Sequence, residues 1–463
     1  MPMLRATAVV AVLVLTGTHR ATAQEQAPPV AGRPRSIKLP SMRRFVLPNG
    51  LKVTLVPYGS VPKVTVDLAV PASVAEEAAN EVWLSQVTGA LMNDGTTRRT
   101  AERVADEAAA MGGSIQVWND EVFTWVSGAA LAEHAPALIH LVADVTLHPR
   151  LAEAGLSRAK ADKEQSMAVA QSRAYQIGWT AFRNQLYGDQ TYGHEFPTEA
   201  MLVGYTSDNV KQFYARNFGA MRSHLYVVGR FDVASTESAI RRAFAGWARG
   251  TAAPTIHVDQ LEGGRSVTLI DRPNAVQSSI VMGLRIPPPS DSDHAAFEVT
   301  DALLAGNWAS RITSNIREQK GYAYSPGSLI NSFRGESFWS EQADVATTVT
   351  GAALNEIIAE MNRLRAEAPS EKELASIKAN LIGGFVRQFG TQAGVIGELS
   401  FVDIQGLRDD YLASKVRRIL AVTPETVRRI ARTYLDPDRM TIVVVGDKRT
   451  VDSQLAPFRA VVR

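Results

Sequence analysis

Residues 47–70 read LPNGLKVTLVPYGSVPKVTVDLAV. With Phe45 and Val46 in front, the stretch divides into FVLPNGLKVTLVPY and KVTVDLAV, two runs of alternating apolar residues separated by a turn. Such alternation predicts paired strands. The same signature returns later in the chain. Val53-Thr54-Leu55 matches Val267-Thr268-Leu269 at an offset of 214, and Leu68, Val70 and Pro71 match Leu284, Ile286 and Pro287 at 216.

Further matches keep the same order. Val87-Thr88-Gly89-Ala90-Leu91-Met92 matches Val299-Thr300-Asp301-Ala302-Leu303-Leu304 at 212. TSDNV from Thr206 matches TPETV from Thr423, and Val227-Val228-Gly229 matches Val444-Val445-Gly446, both at 217. Five short matches in order at nearly constant offset predict two similar halves. Within the first half, helices are expected over about 74–92, from Thr100 to the glycine pair at 112–113, and near 132–147 and 151–186. SIQVWNDEVFTWVSGAAL and SHLYVVGRFD read as strands. The boundary falls in GWARGTAAPTIHVDQLEGG, 246–264, whose Gly, Pro and Thr content suits an exposed linker.

Length and composition agree with two domains. The chain has 463 residues, 45% hydrophobic and 21% charged, more than one hydrophobic core comfortably serves. It contains no cysteine, which removes disulfides, thiol nucleophiles, iron–sulfur clusters and cysteine-ligated zinc. The 49 Lys+Arg and 47 Asp+Glu are interspersed, giving a formal charge of +2 and no electrostatic footprint for nucleic acid.

The start of the chain reads as an export signal. Arg5 supplies a positive n-region, ATAVVAVLVLTG an apolar stretch, and Ala21-Thr22-Ala23 an A-x-A site before Gln24. The apolar stretch falls short of the roughly 20 residues that span a bilayer, so cleavage is expected rather than an anchor. Removing residues 1–23 takes away Arg5 and Arg20 and no acid, leaving a neutral chain. The expected organisation is therefore signal peptide 1–23, extended leader 24–40, first domain 41–245, linker 246–264 and second domain 265–463. The expected location is the periplasm or the exterior, with no membrane span after cleavage.

The eight histidines are His19, His134, His140, His148, His194, His224, His257 and His294. None lies three or four residues from another, the spacing at which two helical imidazoles converge on one ion. The sequence contains neither H-E-x-x-H nor H-x-x-E-H, no G-x-S-x-G, no P-loop and no G-x-G-x-x-G. Each histidine reads as a surface or core-edge residue.

The chain nevertheless resembles the insulinase/pitrilysin family of inverted-motif zinc metallopeptidases, which includes the mitochondrial processing peptidase and the core proteins of the respiratory bc1 complex. The resemblance is carried by residues 47–70, LMNDGT (91–96), MGGSIQVWNDEVFTWVSG (111–128), LYGDQTYGHEF (186–196), LYVVGRFD, and SRITSNIREQKGYAYS (310–325). It implies an α+β fold of two homologous processing-peptidase-like domains, each an antiparallel-rich sheet covered by helices, in a clam-shell arrangement.

One motif departs from the family. Zinc-binding members carry H-x-x-E-H shortly before a Gly-Thr; counted back from Gly95-Thr96, those positions are Gln86, Gly89 and Ala90. The family's third ligand, a glutamate, aligns with Ser166, with Glu164 nearby. Two imidazoles and the general base are thus absent, so the chain is expected to bind no metal and to hydrolyse no peptide alone.

The second-half element is intact. Arg317 and Tyr324 keep the family's seven-residue spacing, with Gly321 between them to end a helix. The resemblance implies that the tyrosine hydroxyl would donate to the scissile carbonyl as it becomes an oxyanion and that the arginine would hold substrate backbone. Without the family, Arg317 reads as a helix-end partner of Glu318 and Tyr324 as core packing. GNWASR (306–311) is similar to the family's small-residue turn before this helix.

The function these features imply is that of a non-catalytic, substrate-binding subunit of a heterodimeric zinc endopeptidase. Its partner would be a zinc-bearing sibling subunit and its ligands unfolded peptides. The alternatives are a peptide-binding or assembly module like the bc1 core proteins, and a family peptidase with a divergent active site.

Overall fold

The computed structural model describes residues 39–459 except 260, 262 and 263. The expected signal peptide and all but the end of the leader lie outside the described residues. The first half contains strands β1 (Arg43–Val46), β2 (Lys52–Pro57), β3 (Lys63–Val70), β4 (Ser114–Asn119), β5 (Thr124–Leu131) and β6 (His224–Gly229). Its helices are α1 (Leu84–Met92), α2 (Ala101–Ala110), α3 (Ala135–Leu147), α4 (Glu153–Gln171), α5 (Ala174–Tyr187), α6 (Glu199–Gly204), α7 (Ser207–Asn217) and α8 (Val233–Ala243). In the second half come β7 (Ser266–Asp271), β8 (Gln277–Arg285), β9 (Gly327–Phe333), β10 (Glu336–Ala346) and β11 (Thr441–Gly446). Its helices are α9 (His294–Leu304), α10 (Thr350–Ala366), α11 (Glu371–Gln388), α12 (Gln392–Ile404), α13 (Tyr411–Ala421), α14 (Pro424–Tyr434) and α15 (Lys448–Arg459).

The strands form two sheets, ordered β1-β2-β6-β3-β5-β4 and β7-β11-β8-β10-β9. Each has a single parallel pair, β2 with β6 and β7 with β11. The remaining neighbours are antiparallel. Residues matched between the halves pair alike: Leu55 faces Val227 as Leu269 faces Val444. TSDNV and TPETV both open helices, the hydroxyls of Thr206 and Thr423 accepting from the backbone N–H three residues on. One match is shifted. Val66 pairs with Val227 and Ile280 with Val444, so β3 and β8 correspond at 214 and not 216. A two-residue slip keeps every side chain on its face, which is why the pattern concealed it.

Two helical expectations change. Residues 74–92 are not one helix: a 3-10 turn at Val74–Glu76 and a loop precede α1, whose N-cap Trp83 is left-handed at φ 70. The stretch 151–186 is two helices, broken at Ser172 and Arg173.

The central strands of both sheets are buried on both faces, and each half covers one face of the other. On the first sheet, Leu55, Val66, Leu68, Leu225 and Val227 pack beneath the half's own helices. The opposite face, including Val56, Trp125, Tyr226 and Val228, is covered by Phe385, Phe389, Ile396, Leu399 and Leu412 from α11 to α13. Reciprocally, Val281, Phe338 and Val443 of the second sheet lie against Phe182, Leu186 and Tyr187 of α5. This accounts for the unbroken apolar runs LYVVG and TIVVVG, where a sheet with one wet face would alternate.

Polar contacts seal the exchange. Tyr226 donates to Asp403 Oδ2 at 2.6 Å, Thr65 to Gln392 Oε1 at 2.7 Å, and Tyr192 to the Arg334 carbonyl at 2.9 Å. Buried Arg334 pairs with buried Glu76 at 2.7 Å. Residues 251–259, without helix or strand, run between the halves and are held by both. Gln190 exchanges hydrogen bonds with Asp259 at 3.1 and 2.6 Å, and Arg285 donates to the carbonyls of Val258 and Asp259 at 3.0 and 2.7 Å. Among the described residues no helix is long and apolar enough to cross a membrane.

Candidate functional site

The three positions that a zinc site would need lie on α1. Its start is shaped by Glu77, whose carboxylate accepts from the backbone N–H of Trp83 at 3.1 Å, from that of Ser85 at 2.8 Å and from the Ser85 hydroxyl at 2.5 Å. A carboxylate here satisfies N–H groups that the helix leaves unpaired at its first turn. Burial pushes the Glu77 carboxyl up to about 7, against those hydrogen bonds. Gln86 and Ala90 are half-buried and Gly89 is buried.

The residue that meets Gln86 is neither Glu164 nor Ser166 but Lys163, on α4. Its ammonium donates to Gln86 Oε1 at 2.8 Å and lies 5.7 Å from the centre of the Trp83 ring. Burial pushes Lys163 below the usual lysine range. Ser166 is exposed and turns back to the Asp162 carbonyl at 2.7 Å. Ser166 lies three residues from Lys163, and on a helix each step turns the side chain by about 100°, so the two point differently. A signal was present in KADKEQS, where Lys163 could have been weighed with Glu164.

Gly89 explains why the general base has no room. A Cβ there would lie 2.3 Å from Asn119 Oδ1, and that amide is fixed by its hydrogen bond to Thr124 Oγ1 at 2.7 Å. A cationic ammonium, a neutral amide and two residues without ligand atoms do not make a zinc site. Among the described residues no three His, Cys, Asp or Glu side chains are grouped to hold a metal ion. The histidines are dispersed: His224 lies between Thr54 and Asp403, and His294 donates through Nδ1 to the Pro287 carbonyl at 2.9 Å.

Arg317 and Tyr324 are brought together. The segment Thr313–Gln319 is a π-helix, a wider turn that recurs at functional positions. It is pinned from below by Ile312 and Ile316, both fully buried, and by Asn315, whose amide donates to Glu356 and Glu360 at 3.0 and 2.9 Å. Arg311 holds its start through a two-pronged pair with Glu373 at 2.8 and 2.9 Å. Gly321 ends it at φ +64, in the left-handed region. Ala323 then bridges to Val345, which directs the chain into β9.

The Arg317 guanidinium lies 5.5 Å from the centre of the Tyr324 ring and 4.2 Å from that of Trp308. Tyr324 is 80% exposed, so it is not core packing. Arg317 does approach Glu318, at 3.3 Å through Nε, yet its terminal nitrogens donate no hydrogen bond to the described residues. The Tyr324 hydroxyl is likewise without a partner among them. A guanidinium and a phenol with unused donors on one exposed surface can bind carbonyl oxygens or a developing oxyanion. Trp308 was not foreseen, although GNWASR places it close by.

Comparison with known proteins covers most of the chain. The sequence profile of insulinase (peptidase family M16) matches residues 53–195, and that of the peptidase M16 inactive domain matches residues 204–381. An uncharacterised zinc protease of Mycobacterium tuberculosis is 24% identical over 427 residues, 89% of this chain and 95% of its own. Another, from Bacillus subtilis, is 20% identical over 415 residues, 86% of this chain and 96% of its own. In fold, the chain is similar to a peptidase M16 inactive domain from Pseudomonas fluorescens, with a TM-score of 0.82, 20% identity and coverage of 88% and 98%. A protease from Helicobacter pylori gives 0.81 at 18% identity, covering 88% of this chain and 100% of its own.

Proposed function

Because the chain belongs to the insulinase family, peptidase family M16, we propose that it is the substrate-binding subunit of a two-chain zinc endopeptidase and supplies Arg317 and Tyr324 to a partner's metal site. The observation that carries this reading is the contrast between the two halves. Where the family's metal ligands would stand, an ammonium and an amide side chain have closed the space. The other half keeps an arginine and an exposed tyrosine side by side with donors unspent.

In this reading Arg317 holds carbonyls of an unfolded peptide and Tyr324 donates to the scissile carbonyl oxygen as negative charge develops there. A preorganised donor of that kind is worth about 10²–10³ in rate. An extended peptide can also pair with an edge strand, β4 or β9, where backbone hydrogen bonding gives affinity with little sequence preference. The zinc and the general base belong to a sibling chain with an intact H-x-x-E-H, and both chains work in the periplasm or outside the cell.

The test is reconstitution. This chain is mixed with the zinc-bearing sibling and assayed on a quenched fluorescent peptide, the expected result being a rate well above that of either chain alone. No gain on mixing, or no loss with Arg317→Ala plus Tyr324→Phe, overturns the proposal. Peptide binding without any gain in cleavage would favour the second reading, an assembly or binding module.

A further inference from the structure

We infer that Trp308 is a positioning residue that orients the Arg317 guanidinium, making Trp308, Arg317 and Tyr324 one cluster for gripping peptide carbonyls. The inference rests on the reading of Arg317 as a peptide ligand.

The geometry supports it at three levels. First, Trp308 is 65% exposed, and an indole left in water at that level is not held there by burial. What it contacts is Arg317: the guanidinium carbon lies 4.2 Å from the ring centre, inside the range for a stacked cation. Second, the backbone around Trp308 is pinned, so the indole springs from a fixed base. Asn307 accepts from the Ala309 N–H at 2.8 Å and donates back to the Ala302 carbonyl. Gly306 packs so tightly on Asp301 that a Cβ would lie 2.5 Å from its carboxylate oxygen. Asp301 is itself held by Trp339 Nε1 at 2.6 Å.

Third, stacking and hydrogen bonding use different parts of a guanidinium. Its faces are taken by aromatic rings while its edge carries the five N–H donors. A carboxylate clamp of the kind that holds Arg311 would consume those donors; an aromatic one orients the group and leaves them for a ligand. Among the described residues Glu318 is the only carboxylate paired with Arg317, and it reaches Nε alone, at 3.3 Å.

Two measurements on the full mature chain test this. Affinity for fluorescein-labelled β-casein, an unfolded polypeptide, is read by anisotropy for the parent, Trp308→Ala, Trp308→Phe, Arg317→Ala and the Trp308→Ala/Arg317→Ala pair. A cation stacked on an exposed ring predicts a loss of about two- to fivefold for Trp308→Ala. Trp308→Phe should restore most of it, and Trp308→Ala should add nothing once Arg317 is gone. An equal loss in both backgrounds would show that Trp308 grips the peptide by itself and overturns the inference.

The second measurement does not depend on peptide binding. The Arg317 Nε–H proton, assigned by its loss in Arg317→Ala, should resonate upfield through the ring current of the indole. It should return towards the ordinary arginine position in Trp308→Ala and remain upfield in Trp308→Phe. An unshifted proton in the parent chain overturns the inference. An upfield proton with no effect of Arg317→Ala on β-casein affinity would instead overturn the peptide-binding reading and leave the clamp intact.

Discussion

Lys163 Nζ donates to Gln86 Oε1 across 2.8 Å, joining α4 to α1 where family members would share a zinc ion. An internal cation thus stands beside Gln86, with consequences for any attempt to build a zinc site there. Gln86→His/Gly89→Glu/Ala90→His should bind no zinc, because Lys163 repels the ion and the new Glu side chain meets Asn119. Overpacking at Gly89 should also cost about 1–3 kcal/mol. Adding Lys163→Glu and Asn119→Ala supplies a carboxylate and clears the space, and near-stoichiometric zinc is then expected by elemental analysis. Zinc at one equivalent in the triple variant would refute this account.

The exposed pair should separate function from stability. Tyr324→Phe removes a hydroxyl from a side chain that is 80% exposed, so its unfolding free energy should stay within about 0.5 kcal/mol of the parent. The reconstituted peptidase should meanwhile lose about 10²–10³ in kcat. Urea melts beside the peptide assay check both halves of the prediction.

Asp67, on β3, makes stability depend on pH. Burial pushes its carboxyl up to about 7, opposed by a hydrogen bond from Ser127. A folded-state value above the unfolded one, about 3.9, means that the folded chain binds the proton more tightly. The contribution is fully present below pH 4 and is lost as pH rises through 7. Taken alone, Asp67 makes the protein more stable at pH 5 than at pH 8. Asp67→Asn should flatten that slope and raise the pH 8 melting temperature, the group's cost there being on the order of 2–4 kcal/mol. An unchanged slope in the variant would count against this.

Glu341 is a second liability. It is completely buried on β10, no side chain among the described residues donates to either carboxylate oxygen, and burial together with neighbouring Asp301 raises it well above the usual carboxylate range, opposed only weakly by the Gly327 backbone N–H. A buried polar group so poorly satisfied costs about 1–3 kcal/mol, so Glu341→Met, close in volume and apolar, should raise the melting temperature. A fall of several degrees would reveal a partner for Glu341.

The crossing of helices between halves makes folding cooperative. Phe182 is fully buried against the opposite half, and its truncation to alanine should cost about 3–5 kcal/mol. Calorimetry should show one transition moving as a unit; a second, unshifted transition would mean that the halves fold independently.

The first-half strands and the twofold repeat were legible because strands are local alternations, and because Thr206 and Thr423 advertise helix starts; the strand order was not. Four further features were not legible. The exchange of α5 and α11–α13 is tertiary, and LYVVG and TIVVVG disclose only that both faces are buried, not what buries them. The π-helix at Thr313–Gln319 has the periodicity of an ordinary helix in sequence. The loop between Glu76 and Leu84 is set by Glu77 and the left-handed Trp83, which no apolar pattern encodes. Lys163 escaped because a long helix without a strong apolar stripe gives an alignment nothing to anchor its rotation. Arg317 and Tyr324 were found because a family spacing named them, and Trp308 was passed over because the family turn asks only for small residues.

The segment 251–259 is a covalent link between bodies that are already interlocked. A protease that cut it at 251–255 would leave Tyr226 on Asp403, Arg334 on Glu76 and Phe182 under the second sheet. The nicked protein would migrate as two bands on a denaturing gel and as one particle in solution. The two pieces, made separately, would each lack the helices that cover one face of its sheet and would complete their fold only on meeting. This chain is therefore a natural starting point for split-protein complementation, with the crossed helices as the recognition code.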